Sequence, residues 1–292
     1  MDTVFGIPGV HTLDLYRGLA GSSIRLVQAR YEQGACFIAD CYARLSVKPG
    51  VCILISGPGV TNACTPMGQS FADSIPVLVI SSTTASDSLG KGWGCLHEVT
   101  DLEAVTRPLT ALSATAGSAD ELEGLIAQAF SIFAAERPRP VHIAVPIDVL
   151  AETVSGAWQV RRPPDRPVPT AETINQAAAL LRRADRPVIY AGGGAAGAAQ
   201  TLTRIAERLD AAVITTNAGK GVVPDSHPLC LGGGIVRAPV RTFLSQADVV
   251  LAIGTEISET DSFVPKLSLT GQLLSLIHIS EPTRLGMISY AV

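Results

Sequence analysis

Six short apolar runs limit what this chain can fold into: "GVCILISG" (50–57), "IPVLVISS" (75–82), "PVHIAVPI" (140–147), "RPVIYAGGG" (186–194), "AAVITTN" (211–217) and "ADVVLAIGT" (247–255). Each is continuous rather than alternating, and each is closed off by Gly, Pro, Ser, Thr or Asn. An alternating run builds a strand with one wet face. A continuous run builds a strand covered on both faces, as in parallel sheets. Helical patterns such as "ADELEGLIAQAFSIFAAE" and "AETINQAAALLRRA" lie between the runs, opening on acidic or Thr residues suited to a helix start. Strand alternating with helix predicts an α/β fold with a doubly wound parallel sheet.

At 292 residues the chain is long enough for two domains with cores of their own. The stretch "AETVSGAWQVRRPPDRPVPT", residues 151–170, is proline-rich and without strong periodicity, so it reads as a linker. One domain is expected over 1–150 and a partial, Rossmann-like second domain over 171–273. A net charge of −4 gives no reason to expect nucleic acid or an anionic membrane as partner. No apolar run is long enough to span a bilayer, and no signal peptide is visible. A small-molecule partner and a cytoplasmic setting are expected. Six cysteines without a C-x-x-C pair read mostly as reduced, buried small hydrophobes.

Both ends look truncated. The chain opens directly on the strand-like "MDTVFGIPG", with no helix before it. Near the other end, "LSLIHISEPTR" (274–284) and "ISYAV" (288–292) read as the in-frame translation of a transposase-type sequencing adapter around a short index. Residues 274–292 are therefore set aside as an adapter-derived artefact.

Several stretches carry candidate chemistry. "GGGAAG" (192–197) fits the dinucleotide pattern G-x-G-x-x-G, but the next strand ends in Thr215, Thr216 and Asn217, with no carboxylate for a ribose. A tight strand–helix turn is the preferred reading over a nicotinamide site. "GQSFA" (68–72) is a loose relative of the nucleophile elbow, yet it falls in a helix before a strand, the wrong order for one. "SGPGVTN" (56–62) follows a strand and precedes a helix expected to open at Thr61 or Asn62, which is where open α/β sheets bind ligands. "FGIPGV" (5–10) repeats the theme at another strand end. Glu32 stands between an apolar strand-like segment and a small-residue helix, a junction where burial is expected and costly. From the residues alone it is either a first-turn helix acid or a functional group.

Together, "FGIPG", "YEQGACFIADCYAR", "PGVCILISGPGVTNACTPMGQSFADSIPVLVISS" and "RPRPVHIAVPIDV" resemble the pyrimidine-binding domain of thiamine diphosphate enzymes of the acetolactate synthase and 2-oxo acid decarboxylase superfamily. "RPVIYAGGG" and "ADVVLAIGTEISETDSF" resemble the start of that superfamily's central domain. The details look closest to its 5-guanidino-2-oxopentanoate decarboxylase branch, with acetolactate synthase as runner-up. The resemblance implies that Glu32 activates the cofactor's aminopyrimidine, and that Pro8, Gly9, Pro58 and Asn62 lie against the same ring. His97 departs from the Phe-Gln-Glu of acetolactate synthases. It is either a general acid or base near the reacting carbon or a loop histidine without a role. "EISETDSF" lacks the arginine-bearing stretch that holds FAD in acetolactate synthases, so FAD is not expected. Mg²⁺ and the diphosphate would be held by a G-D-G…N motif, which this chain lacks, in a further domain. The site is then shared between subunits of a homodimer or homotetramer, the substrate is a 2-oxo acid, and the present chain alone is expected to be inactive. A nicotinamide-dependent dehydrogenase and a non-catalytic binding module remain the readings from other classes.

Overall fold

The computed structural model describes residues 1–276 apart from 155 and 167. The chain divides into two compact units, one through Arg166 and one from Pro167 onward. Unit one runs β1 (Thr3–Gly6), α1 (Leu13–Leu19), β2 (Arg25–Gln28), α2 (Glu32–Ser46), β3 (Gly50–Leu54), α3 (Pro58–Asp73), β4 (Val77–Thr83), α4 (Leu102–Thr106), β5 (Leu112–Thr115), α5 (Ala119–Ala135), β6 (Val141–Pro146) and α6 (Ile147–Leu150). Its six strands form one sheet in the order β2-β1-β3-β4-β6-β5, with every neighbouring pair parallel. The expected doubly wound parallel sheet is therefore present.

The continuous apolar runs have a simple cause. Successive strand side chains face opposite sides, and both sides are covered. Val51 and Ile53 join Leu78 and Ile143 in a core capped by Leu122, Ala129 and Phe133 of α5. Their neighbours Cys52 and Leu54 face the other way, onto Ala35, Cys36 and Ala39 of α2 and Ala63 and Met67 of α3. Each large apolar side chain so buried contributes about 1.5–3 kcal/mol. Small residues at 35, 39 and 43 give α2 the low-relief face that lies on the sheet. A buried carboxylate ties α2 to α3: Asp40 accepts from Arg44 Nε at 2.6 Å, from the Arg44 guanidinium again at 3.1 Å, and from Ser70 Oγ at 2.7 Å. The serine of "GQSFA" is thus a buried helix–helix contact in α3.

Three local expectations change. α3 opens at Pro58, three residues before Thr61, because proline suits the first helical position, where its missing N–H is not needed. The cap of α5 is Ser118, whose hydroxyl accepts from Glu121 N, rather than an acid. Only Cys36 and Cys52 are fully buried, while Cys41 is exposed. Cys41 falls on the outer face of α2 with Phe37, Ile38 and Leu45. All six thiols are free.

The described part of the 151–166 stretch has no regular structure and lies against unit one. There Gln159 N donates to Glu123 and Arg166 Nε to the Ala134 carbonyl. Unit two comprises α7 (Ala171–Arg183), β7 (Pro187–Ala191), α8 (Ala199–Leu209), β8 (Ala212–Thr215), β9 (Cys230–Gly232), α9 (Ala238–Ser245), β10 (Val249–Ile253), α10 (Glu259–Ser262) and β11 (Gln272–Leu276). Its parallel sheet has the order β11-β10-β7-β8-β9. β11 pairs Leu274 with Leu251 and Ser275 with Ala252, so the stretch read as adapter begins inside an edge strand. Its remainder, 277–292, lies outside the described residues.

The turn "GGGAAG" closes onto the end of β10 through Gly192 N to Ile253 O at 2.8 Å and Gly194 N to Gly254 O at 3.1 Å. A carboxylate does reach the end of β8, contrary to the sequence reading, because α10 delivers it from 44 residues away: Asp261 Oδ1 accepts from Asn217 N. Its Oδ2 accepts from Ser258. Among the described residues no helix is long and apolar enough to cross a membrane.

Candidate functional site

In unit one the chain leaves β1 toward the edge strand β2 but leaves β3 toward β4 on the other side. The winding reverses between β1 and β3, and open α/β sheets hold ligands outside the carboxyl ends of the strands at such a point. Two of the turns singled out in the sequence end these two strands.

After β1 comes Ile7-Pro8-Gly9, with Pro8 exposed. Gly9 caps a 3-10 turn over Val10–Thr12, and Thr12 locks it: Gly9 N donates to Thr12 Oγ1 at 2.9 Å, and that hydroxyl donates to Gly9 O at 3.0 Å. After β3 comes Ile55-Ser56-Gly57, where Gly57 has φ +54°. A Cβ at Gly57 would stand 2.3 Å from the His97 carbonyl oxygen. Only glycine lets the loop between β4 and α4 lie over this turn.

Ile55 is the meeting point. A Cβ on Gly9 would come within 2.6 Å of its side chain and one on Gly59 within 2.7 Å, while the Gly59 position is 3.7 Å from Glu32 Cγ. The β1 turn and the β3 turn therefore converge on one isoleucine, and the start of α2 meets the second of them at Gly59. Asn62 Nδ2 donates to Glu32 Oε2 at 3.0 Å. Glu32 Oε1 has no hydrogen-bond partner among the described residues. Glu32 is half-buried rather than buried. The strand before it, β2, is the exposed edge strand of the sheet. Glu32 is also the first residue of α2, where the helix dipole favours a negative charge.

His97 belongs to the loop between β4 and α4, which Glu98 gathers. The Glu98 carboxylate accepts from the amides of Gly92 at 2.8 Å, Gly94 at 2.7 Å and Cys95 at 3.0 Å. Desolvation pushes this carboxyl up, but the amide bonds outweigh it and hold Glu98 below its ordinary range. His97 itself has φ +59°. With Gly57, Pro58, Thr61 and Glu98 it lines an open cleft of about 650 Å³.

His11, which the sequence reading passed over, faces His97 edge-to-face, with ring centroids 6.3 Å apart at 86°. Its Nδ1 is 3.1 Å from Ser56 Oγ. Burial first, and then the neighbouring His97, lower its pKa. The signal for it was position, two residues past Gly9 in a turn already marked. Among the described residues no cluster of three or more His, Cys, Asp or Glu could hold a metal ion.

A doubly wound α/β domain that gathers two Gly-Pro turns and a helix-terminal carboxylate at its switch point has the build of a cofactor-binding enzyme domain. Residues 1–104 match the thiamine pyrophosphate enzyme N-terminal TPP-binding domain, and residues 174–287 match the thiamine pyrophosphate enzyme central domain. The chain belongs to the thiamine pyrophosphate-dependent enzymes. It is 54% identical over 276 residues to a probable 2-ketoarginine decarboxylase of Pseudomonas aeruginosa, covering 94% of this chain and 49% of that protein. It is 34% identical to acetolactate synthase isozyme 1 large subunit of Escherichia coli, covering 90% of this chain and 48% of that one. A solved structure of a candidate thiamin diphosphate-dependent enzyme from Mycobacterium smegmatis shares the fold, with a TM-score of 0.83 at 24% identity over 94% of this chain and 53% of that one. The chain spans about half the length of the curated relatives it matches.

Proposed function

We propose that this chain is the N-terminal portion of a thiamine diphosphate-dependent 2-oxo acid decarboxylase, with 5-guanidino-2-oxopentanoate (2-ketoarginine) as substrate. The observation that carries the cofactor half is the Glu32–Asn62 pair at 3.0 Å, beside Gly59 at the switch point. Glu32 keeps one carboxylate oxygen without a partner among the described residues, and Gly9 and Gly59 press backbone rather than side chain against Ile55. Those features fit an aminopyrimidine ring.

When bound, thiamine diphosphate supplies the electron sink for breaking the bond between the carboxylate and the 2-oxo carbon. Glu32 holds and exchanges the proton at N1′ of the aminopyrimidine, and Asn62 fixes the carboxylate that does so. The backbone of Pro8-Gly9 and the Pro58 turn orient the ring. His97, on the cleft wall, moves protons at the reacting carbon.

The identity of 54% to the 2-ketoarginine decarboxylase against 34% to acetolactate synthase supports the decarboxylase, as does Leu96-His97 in place of Phe-Gln. The missing half supplies the diphosphate and Mg²⁺ ligands and closes the site as a homodimer or homotetramer. The exposed apolar face of α2, with Phe37, Ile38 and Leu45, runs from Glu32 and supports a covering partner. Six free thiols suit a cytoplasmic setting. The test is to sequence the source locus beyond codon 273, express the complete gene and measure CO₂ release. Release from 5-guanidino-2-oxopentanoate well above that from pyruvate is expected. Acetolactate formation as the main product would overturn the substrate reading.

A further inference from the structure

We infer that His11 and His97 form a proton-holding pair across the β1–β3 crevice, with His11 acting through His97 as its positioning partner. The inference deepens the proposed decarboxylase reading and rests on it for its use in catalysis.

Three independent features place the pair. The rings meet edge-to-face at 6.3 Å, each on a different strand-end turn. His11 is held from behind by Ser56, whose hydroxyl lies 3.1 Å from Nδ1 and which is itself 1% exposed. His97 is held by a backbone at φ +59°, by the close approach of its carbonyl to Gly57, and by the Glu98-gathered loop on either side. Neither ring is a surface side chain free to drift.

The electrostatics of His11 are simple. The β3–α3 turn (55–62) and β4 (77–83) contain no ionisable side chain. On the following helix Asp14 and Arg17 neutralise one another in an exposed pair. The loop carries Asp87, Lys91, Cys95, His97, Glu98 and Asp101, of which Glu98 is engaged by its own backbone amides and His97 alone acts on the charge of His11. Burial lowers the pKa of His11 first, and His97 is the charged neighbour that lowers it further. Two imidazoliums at this distance repel, so a proton on His97 disfavours a second on His11.

A pair that holds one proton suits the proposed reaction. Converting a 2-oxo carboxylate to an aldehyde and CO₂ consumes one proton at the carbon that loses its carboxylate. The imidazolium gives up that proton and keeps the N–H bonding electrons. Water entering the open cleft restores the proton, so no further co-reactant is required.

The first test needs neither cofactor nor activity. The histidine ring signals of this chain are followed by NMR from pH 8 to 5, in the parent and in His11→Gln, His97→Gln and Ser56→Ala. Removing the His97 ring raises the midpoint of His11, because it takes away the like charge that lowers it. The signals of His142, fully buried on β6, report that the fold is intact. A His11 midpoint that ignores the loss of the His97 ring, within about 0.1 pH unit, overturns the pair.

The second test uses the complete gene product. His11→Gln shifts the acid limb of the kcat–pH profile for decarboxylation, while a purely structural role would lower kcat equally at every pH. An unshifted profile overturns the catalytic use. A complete enzyme that decarboxylates no 2-oxo acid sinks the parent reading and this use together, and the NMR coupling tells that failure from failure of the pair itself.

Discussion

Acid should unfold unit one through a single buried histidine. His142 is 0% exposed on β6, with Nε2 2.9 Å from Ser81 Oγ and Nδ1 2.9 Å from Thr106 Oγ1. Ser113 Oγ joins the same network at 2.7 Å from Thr106 Oγ1, so β4, β5, β6 and the end of α4 share one polar knot. Burial pushes the His142 pKa down to about 4 from 6.5. The unfolded chain therefore binds a proton below pH 6.5 that the folded chain refuses until about pH 4, and stability falls with pH across that window. Stability from this group is complete above pH 6.5, declines as pH drops, and changes no further below pH 4. Between pH 7.5 and 5 the linkage amounts to about 2 kcal/mol, a large fraction of a small domain's stability. The assay is urea unfolding at pH 7.5, 6 and 5, followed by far-UV circular dichroism and fluorescence. His142→Gln loses some stability at every pH but removes most of this slope. Above pH 5 the carboxylates with lowered pKa values, such as Asp148, are still ionised and do not contribute. A parent slope under about 0.5 kcal/mol, or an equal slope in His142→Gln, would refute the reasoning. Because α4 follows the loop that carries His97, the same acidification should loosen the cleft wall.

Gly57→Ala places a Cβ against the His97 carbonyl at a positive φ, so unit one should lose at least about 2 kcal/mol. Amide exchange across residues 90–100 should also rise, and a melting curve with exchange mass spectrometry checks both. Asp40→Ala strips Arg44 of its bidentate partner and leaves the buried Ser70 hydroxyl unmatched. A loss of about 2–4 kcal/mol is expected in urea unfolding. Glu32→Gln, at a half-buried helix start, should leave stability within about 1 kcal/mol of the parent. It should also cut turnover of the complete enzyme at least about 100-fold, read by steady-state kinetics. Stability lost without loss of turnover would assign Glu32 to the helix alone.

The architecture was legible because a strand covered on both faces must be apolar at every position. The runs at β3, β4, β6, β7, β8 and β10 are of that kind. The edge strands β5 and β9 were not legible, since four residues such as "LSAT" have no second face to bury and carry no pattern. The site was legible in part for a related reason: turns at the ends of covered strands must be Gly- and Pro-rich, and they mark where a crevice opens.

Sequence alone thus determined the alternation of strand and helix, the two strand-end turns, the lone acid that opens α2 and the family these carry. Tertiary structure decided which of those residues meet. It put Gly9 and Gly59 against Ile55 and Glu32 beside Gly59, brought Asp261 to the end of β8, and turned the His11 ring toward His97. It also left Glu32 half-buried. Local patterning records whether a residue is buried and which way its strand faces. Contacts between turns dozens of residues apart depend on strand order, and no local signal encodes that order.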